Sequence, residues 1–259
     1  MKRCEKCGHS RSYRIADGRY KCKACGHRSA RTSVWDANRL SEATKHRLLE
    51  LFVLGVPVYR QRFRLPVSIP TAQRFYRQIR ACCALEEGLR ESFHGELECD
   101  ETTFGGSRKG KRGWGAAGKI IVFGILKRNG TVKVFPVQGR TCQAVVSLVQ
   151  QHTNPGSLYY TDEWQAYASL RVRGEHIVIR KERGRPKGRD HINGIEGFWS
   201  YAKHWLYPYR GVPKKFFHLY LGEISYRFNH KHEDIFPLLL NRLKATSMNE
   251  LQDILVRFA

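Results

Sequence analysis

The spacing of apolar residues changes along the chain, from a helical period in the first third to a strand period after about residue 96. Between Ser41 and Leu54, apolar residues recur at the spacing of a helix, at Leu48, Leu51 and Phe52. Ser41 can accept hydrogen bonds from the first turn, and Gly55 can adopt the left-handed conformation that ends a helix. The pattern therefore predicts a helix from about Ser41 to Leu54.

Two further helical segments follow. A short one covers about Val58 to Arg64, and a longer one begins at Ser68, after a turn around Pro66. The longer helix has an apolar face with Ala72, Phe75, Tyr76 and Ile79, and an opposite polar face with Gln73, Arg74, Arg77 and Arg80. Three short helices of this kind are typical of a helix-turn-helix, whose recognition helix lies in the major groove. The alternative is a helical linker with a solvated basic face.

From Glu96 onward, short apolar stretches are bounded by turn residues, as in strands. The sequence predicts the strands ELECDETTFGG, KIIVFGILKR and TVKVFPVQG, a helix over Thr141–His152, the strands SLYYTD and HIVIRK, and a long helix from about His191. Three strands, a helix, a strand, a helix, a strand and a helix follow one another in the RNase H-like fold, where helices cover a mixed sheet. The fold class is therefore α/β, with a helical segment at residues 214–259 that contributes to the core.

Four of the eight cysteines form two Cys-x-x-Cys pairs, Cys4 with Cys7 and Cys22 with Cys25, and each pair is followed by Gly-His. Glycine after the second cysteine lets backbone amides approach the sulfurs, and two such turns supply four thiolates for one structural Zn(II). Asp17-Gly18 between the pairs is a hairpin signal. We predict a zinc ribbon; the alternative is four unrelated buried or redox-active cysteines.

The charge of the chain indicates a polyanionic partner. The 259 residues contain 46 Lys and Arg against 23 Asp and Glu, a formal net charge of +23. Such an excess predicts binding of double-stranded DNA. Because no apolar run approaches the length of a membrane-spanning helix and no signal-peptide core follows Met1, we expect a cytoplasmic, nucleoid-associated protein that does not contact membranes.

Three acids lie where the predicted fold brings its elements together. Asp100 lies inside the first long strand, Asp162 ends SLYYTD, and Glu196 lies near the start of the long helix. Lys203 follows Glu196 by two helical turns, so both side chains share a face. Three such carboxylates can bind two Mg(II) or Mn(II) ions for in-line displacement at phosphorus. Glu98 shares a strand face with Asp100, so the strand period does not separate these two candidates.

The blocks ECDETTFGG, YYTDEWQAY and HINGIEGFWSYAK resemble the zinc-ribbon insertion-sequence transposases of the DDE type, in the ISXO-like (IS fifteen-ninety-five) family. YRFNHK near the end fits the same pattern, so the resemblance spans nearly the whole chain. The third block is the most specific, with His-x-Asn-x-x-Glu and a lysine one heptad further on.

The resemblance places the catalytic residues of that family on four positions: Asp100, Asp162, Glu196 and Lys203. It thereby selects Asp100 over Glu98. Members of the family carry Asn or Glu at the third position, and Asn193 is the alternative here, although the spacing to Lys203 favours Glu196. The resemblance also implies a prokaryotic DNA transposase that binds terminal inverted repeats and catalyses metal-dependent DNA cleavage and strand transfer.

Two glycine-rich basic segments, Gly105–Gly115 and Arg180–Asp190, flank the acids. We predict that both are loops that neutralise DNA phosphates. Their candidate contacts are Arg108, Lys109, Lys111, Arg112, Arg183, Arg185 and Lys187. The sequence Arg-Gly-Arg-Pro from Arg183 also resembles an AT-hook, which lays arginines along a narrow minor groove; the alternative is a plain phosphate-binding loop.

The sequence thus predicts four segments: a zinc ribbon at 1–35, a helix-turn-helix module at 36–92, an RNase H-like DDE catalytic domain at 93–210, and its C-terminal helical part at 211–259. Because a transposase must hold two DNA ends, we expect a homodimer or larger assembly, although no coiled-coil pattern marks an interface. Two other functions compete: a DNA-binding regulator that keeps the fold without its chemistry, and a nuclease that cuts without rejoining.

Overall fold

The computed structural model describes residues 4, 6–16, 19–29, 33–61, 63–105, 119–128, 130–139, 141–164, 167, 170–171, 173–179, 188, 190–209 and 211–256. The strands are β1 (Ser12–Arg14), β2 (Tyr20–Cys22), β3 (Arg28–Ser29), β4 (Glu96–Phe104), β5 (Ile120–Lys127), β6 (Val132–Val137), β7 (Leu158–Thr161) and β8 (Glu175–Val178). The α-helices are α1 (Glu42–Val53), α2 (Ile69–Gly88), α3 (Cys142–His152), α4 (Asn193–Leu206), α5 (Phe217–Asn229), α6 (Ile235–Ala245) and α7 (Met248–Val256). None of the helices within these ranges is both long enough and apolar enough to cross a membrane.

A mixed five-stranded sheet forms the centre of the protein, with the order β6-β5-β4-β7-β8. β4 pairs antiparallel with β5, and β5 pairs antiparallel with β6. On its other side β4 pairs parallel with β7, which pairs parallel with β8. The strands predicted from the alternating pattern are therefore confirmed, and β4 lies in the middle of the sheet.

Helices cover both faces of this sheet. Helices α4 and α5 pack on one face, where a buried apolar cluster contains Val122, Ile195, Phe198 and Leu221. Helix α3 and the segment around Tyr167 pack on the other face, where the cluster includes Leu97, Phe123 and Val149. Because side chains alternate along β4, Leu97 and Cys99 point towards α3, while Glu98 and Asp100 point towards α4.

The cap predicted at Ser41 is confirmed, and Ser68 caps α2 in the same way. The Ser41 and Ser68 side chains accept hydrogen bonds from the N–H groups of Thr44 and Thr71, at 3.2 and 3.3 Å. Gly55 has a φ of 70° after α1. The predicted middle helix is only a 3-10 turn, Val58–Arg60. The third predicted helix, α2, is not short but has 20 residues.

The helical module predicted at 36–92 does not have a hydrophobic core of its own. Its buried residues form one cluster with Leu219, Tyr226, Leu239, Leu243 and Leu251 from α5, α6 and α7. The helices approach closely: a side chain added at Gly222 of α5 would lie 2.6 Å from the Cβ of Ala84 in α2. The apolar face of α2 is thus covered by helices that begin 129 residues or more after its last residue.

A buried ion pair lies inside this shared core. Glu223 of α5 is fully buried and accepts hydrogen bonds from Arg80 Nε at 2.6 Å and Arg227 Nε at 2.9 Å. Arg227 also donates to the carbonyl oxygens of Phe52 and Val53, where α1 ends. One carboxylate therefore connects α2 with α5, and Arg227 extends the connection to α1.

Candidate active site and metal centre

The four cysteines of the predicted ribbon come together beside the three-stranded antiparallel sheet β1-β2-β3. Their sulfurs all lie within 4.8 Å of one another. Cys4 Sγ is 3.6 Å from Cys25 Sγ, and Cys7 Sγ is 3.7 Å from Cys22 Sγ. Four thiolates at about 2.3 Å around one ion in a tetrahedron lie about 3.8 Å apart. The cluster can therefore hold one tetrahedral metal ion.

The two turns that carry these sulfurs have the same backbone geometry. Gly8 and Gly26 have φ values of 70° and 68°, and their N–H groups donate to the carbonyls of Cys4 and Cys22 at 2.8 and 3.1 Å. The doubled Gly-His sequence thus corresponds to a doubled turn. The left-handed conformation explains why glycine follows the second cysteine of each pair.

The electrostatics of the cluster also suit a cation. The backbone N–H of Cys25 lowers the pKa of Cys22 to about 6. The N–H of His9 lowers the pKa of Cys7, but the Cys25 thiol, burial and the other two thiols together outweigh it and raise this pKa to about 12. The pKa of Cys22 is thus lowered and that of Cys7 is raised. Opposite shifts are expected for sulfurs that are too close to be charged at the same time. A bound divalent cation removes this conflict, because it deprotonates its thiol ligands.

The second site lies where β4 and β7 run side by side. Glu98 of β4 is paired with Tyr160 of β7, and two residues further along each strand direction are Asp100 and Asp162. The Asp162 side chain accepts a hydrogen bond from the N–H of Trp164 at 3.0 Å, which fixes its position after the strand. The parallel register thus brings the two predicted acids to the same level of neighbouring strands.

The surroundings of Asp100 disfavour the charged form of its carboxyl group. Burial raises the pKa of its carboxyl to about 7, and the charges of Glu101 and Asp162 add to the rise. Glu101 points to the opposite face, where it accepts a hydrogen bond from the Tyr167 hydroxyl. A hard divalent cation bound by Asp100 and Asp162 would offset the repulsion between their charges.

Trp199 of α4 touches the site, although the sequence suggests only a packing role for it. Its indole Nε1 donates to Asp100 Oδ2 at 3.1 Å, while the ring is 4% exposed. Gly124 of β5 lies opposite Asp100, and a side chain there would come within 2.7 Å of the indole. The sequence shows only a glycine inside an apolar strand and a tryptophan three residues after Glu196, and neither identifies the other partner of this contact.

Helix α4, which packs on the Asp100 face of the sheet, carries the third candidate acid. Glu196 lies in its first turn and is exposed, as is Lys203 two turns later. Asn193, the alternative third ligand, is the first residue of the helix and is also exposed. Within the described ranges, the cysteines form the only group of three or more potential ligands that all lie within 4.8 Å. The three acids are therefore more widely spaced, as carboxylates around two ions about 3.5–4 Å apart can be.

Glu98 shares the α4 side of β4 with Asp100, but it is engaged in structural contacts. It is 1% exposed, forms an ion pair with Arg128 at 3.0 Å, and accepts the N–H of Ile195 at 2.9 Å. Its two oxygens are therefore directed at an arginine and a helix end. This distinguishes it from Asp100, which the strand period alone did not.

The structure separates the basic residues predicted to bind DNA. On α2, Gln73 and Arg74 are exposed, and the guanidinium of Arg77 lies 4.8 Å from the ring centre of Phe216. Arg80 is only 3% exposed and pairs with Glu223 in the helical core. Its side chain is therefore not available for DNA beside Gln73 and Arg74. The loop residues Arg108, Lys109, Lys111, Arg112, Arg183, Arg185 and Lys187 lie outside the described residues.

Comparison with known proteins identifies the class of protein to which this fold and these acids belong. Residues 92–229 match the family model of the ISXO2-like transposase domain. The match covers more than half of the chain, from just before β4 to the end of α5, and includes all three candidate acids. The chain is therefore a transposase-type protein.

Two relatives agree with this result. An uncharacterized transposase-like protein of Haemophilus influenzae is 36% identical over 100 residues, which are 38% of this chain and 79% of that protein. An uncharacterized protein in transposable element ISH50 of Halobacterium salinarum is 25% identical over 229 residues, which are 78% of this chain and 75% of that protein. The protein belongs to the ISXO2-like transposase family, as the motif resemblance implied.

Proposed function

We propose that this protein is a DNA transposase of the DDE type, which binds the terminal inverted repeats of its element and catalyses cleavage and strand transfer at their ends. The observation that carries the proposal is the parallel register of β4 and β7, which sets Asp100 beside Asp162 on the sheet face that α4 covers. The fold supports it as well. A sheet with two antiparallel and two parallel pairings around a central strand, covered on both faces by helices, is what an RNase H-like fold requires.

In this proposal Asp100, Asp162 and Glu196 hold Mg(II) or Mn(II). The bound ions supply Lewis-acid stabilisation of the attacking and leaving oxygens at phosphorus. Trp199 keeps Asp100 oriented by donating its indole N–H. Lys203 lies on the same helix face as Glu196, and its ammonium binds a phosphate of the same DNA strand.

The amino-terminal part recognises the DNA. The cysteine cluster holds Zn(II) in a closed thiolate site, and the exposed first turns of α2 contact DNA through Gln73, Arg74 and Arg77. The net charge of +23 favours this association by releasing counterions from the phosphates. A dimer or larger assembly holds the two ends of the element together.

The test of catalysis uses DNA fragments that carry the terminal repeats of the element encoding the protein, with Mg(II) or Mn(II). We expect the wild type to nick and join these fragments, and Glu196→Gln to lower the rate roughly a thousandfold, because metal-bound oxygens contribute several kcal/mol. Glu163→Gln is the matched control, since Glu163 is an exposed acid beside Asp162, and it should retain activity.

The same assay distinguishes the alternatives. A large loss in Asn193→Ala combined with little loss in Glu196→Gln would assign the third ligand to Asn193. Nicking without joining would indicate a nuclease, and binding without either reaction would indicate a regulator. Products that are the same for wild type and Asp100→Ala would contradict the proposed chemistry.

Removal of zinc is expected to abolish specific binding of the terminal repeats. Cys22→Ser takes one ligand from the cluster, and small zinc modules lose their fold without the metal. The measurement is a gel-shift titration with terminal-repeat DNA against a scrambled duplex of equal length. Cys142→Ser is the control, because Cys142 is an exposed cysteine at the start of α3. Unchanged discrimination by Cys22→Ser would show that the ribbon does not read the ends.

A further inference from the structure

We propose that Arg128 and Glu98 are positioning residues that fix the spacing of the three carboxylates, and thereby set the affinity of the site for divalent metal, without contacting metal or DNA themselves. This inference rests on the proposed function, in which Asp100, Asp162 and Glu196 are the metal ligands.

Arg128 follows the end of β5 and connects several elements at once. Its side chain is 11% exposed and pairs with Glu96 and Glu98, each at 3.0 Å. The guanidinium lies 3.5 Å from the ring centre of Tyr160 in β7, and Nη2 donates to the carbonyl of His191 just before α4. A planar guanidinium with donors in fixed directions can make these contacts together, whereas an ammonium cannot.

Glu98 continues the connection into α4. The first turn of a helix has N–H groups without partners inside the helix, and the residue before α4, Ile192, provides no side-chain cap. Glu98 provides one from the sheet, since its Oε2 accepts the N–H of Ile195 at 2.9 Å. The negative charge is also favourable at a helix N-terminus.

Glycine in the first turn of α4 permits this close approach. A side chain added at Gly194 would come within 2.8 Å of Glu98 Oε2 and 3.0 Å of a methyl carbon of Leu126. The helix therefore rests directly on the carboxylate of Glu98. Any larger residue at position 194 would push the start of α4 away from the sheet.

Three of these contacts lie one or two residues from a proposed metal ligand. Glu98 precedes Asp100 by two positions in β4, and Tyr160 precedes Asp162 by two positions in β7. The capped residue, Ile195, directly precedes Glu196. One guanidinium and one carboxylate therefore link all three ligand-bearing elements on the protein side of the site. Because displacements of about 1 Å at a reacting centre are costly, this link determines whether the carboxylates meet around the metal.

The test measures metal binding directly, by isothermal titration of Mn(II) into the full-length, zinc-loaded protein without DNA. Three variants disturb the link in different ways: Arg128→Lys, Glu98→Gln and Gly194→Ala. The last changes no charge and moves only the helix start. We expect each to weaken Mn(II) binding at this site about tenfold or more, as is typical when residues behind metal ligands are changed. Cleavage of terminal-repeat DNA should recover at high Mn(II), because the ligands themselves remain.

Arg80→Lys is the matched control, because Arg80 also forms a buried arginine–glutamate pair but lies in the helical core with Glu223. It should lower the melting temperature and leave the Mn(II) dissociation constant unchanged. All proteins are compared at a temperature where circular dichroism shows them folded, and Gly194→Ala provides the result if the charge variants do not fold.

The outcomes separate this inference from the proposed function. If the three variants bind Mn(II) as tightly as the wild type while Asp100→Ala does not bind it, the positioning role is wrong and the metal site stands. If Asp100→Ala binds Mn(II) as the wild type does, the proposed metal site itself is wrong. An equal loss of affinity in Arg80→Lys would show that general destabilisation is responsible, and would also overturn the positioning role.

Discussion

Asp100→Asn is expected to abolish DNA cleavage and, in metal-free solution at pH 8, to make the protein more stable. The pKa of Asp100 is raised from 3.8 to about 7 in the folded protein. The folded state therefore keeps a proton that the unfolded chain releases between these pH values. Stability from this group is lost as the pH rises from about 4 to 7, and the cost of the buried charge is complete at pH 8.

Asparagine removes that charge and keeps an oxygen that can accept the Trp199 N–H. We expect a gain of about 1–3 kcal/mol at pH 8, which corresponds to a rise in melting temperature of roughly 3–10 °C. The rise in melting temperature is measured by calorimetry in a buffer whose chelator leaves the tightly bound zinc in place. At pH 4 the difference should largely disappear, because Asp100 is protonated in the folded wild type.

Added Mn(II) should raise the melting temperature of the wild type and have little effect on Asp100→Asn. The control is Asp190→Asn, which changes an exposed aspartate outside the site and is expected to shift stability by no more than about 0.5 kcal/mol. A variant Asp100→Asn that melts below the wild type at pH 8 would contradict this account of the buried charge.

Glu223→Ala is expected to be the most destabilising single change in the helical core. It leaves two buried guanidinium groups, those of Arg80 and Arg227, without their carboxylate. Removing one partner from a buried ion pair costs about 3–5 kcal/mol, so the melting temperature should fall by roughly 10 °C. Chemical denaturation followed by circular dichroism gives the change in the free energy of unfolding.

The comparison for this change is Glu50→Ala, which breaks the exposed pair of Arg47 and Glu50 on α1, 2.9 Å apart. Exposed pairs contribute at most about 1 kcal/mol, so the two variants should differ by several kcal/mol. A similar small effect in both would show that Arg80 and Arg227 find other partners or water when Glu223 is removed.

Local features of the fold could be predicted because they depend on neighbouring residues. The period of apolar residues marked β4 to β8, and the serines before α1 and α2 marked their caps. The two Cys-x-x-Cys-Gly sequences also predicted turns, because glycine after the second cysteine permits the left-handed conformation seen at Gly8 and Gly26. The predicted strands also contain or directly precede Asp100 and Asp162, although the parallel pairing of β4 with β7 that brings them together is seen only in the structure.

Contacts between distant segments could not be predicted in this way. Arg80 continues the polar face of α2 at helical spacing, so the pattern grouped it with Arg77. Its burial depends on Glu223, 143 residues further on, which no local period reveals. The contact of Trp199 with Asp100 depends likewise on the space above Gly124. The strand period also could not decide between Glu98 and Asp100 as candidate metal ligands. The position of α4 distinguishes them, because its first turn is capped by Glu98.

The helical core shared by the two ends of the described chain limits how such a protein can exchange its parts. The segment matched by the family model, residues 92–229, ends within a layer of helices whose apolar faces are covered by α1 and α2. A hybrid that joined this segment to an unrelated amino-terminal domain would leave that layer open to solvent. Under the proposed function, new end specificity is therefore easier to acquire by substitutions on the outer side of α2, or by replacing the cysteine-rich segment alone, than by exchanging the whole amino-terminal third.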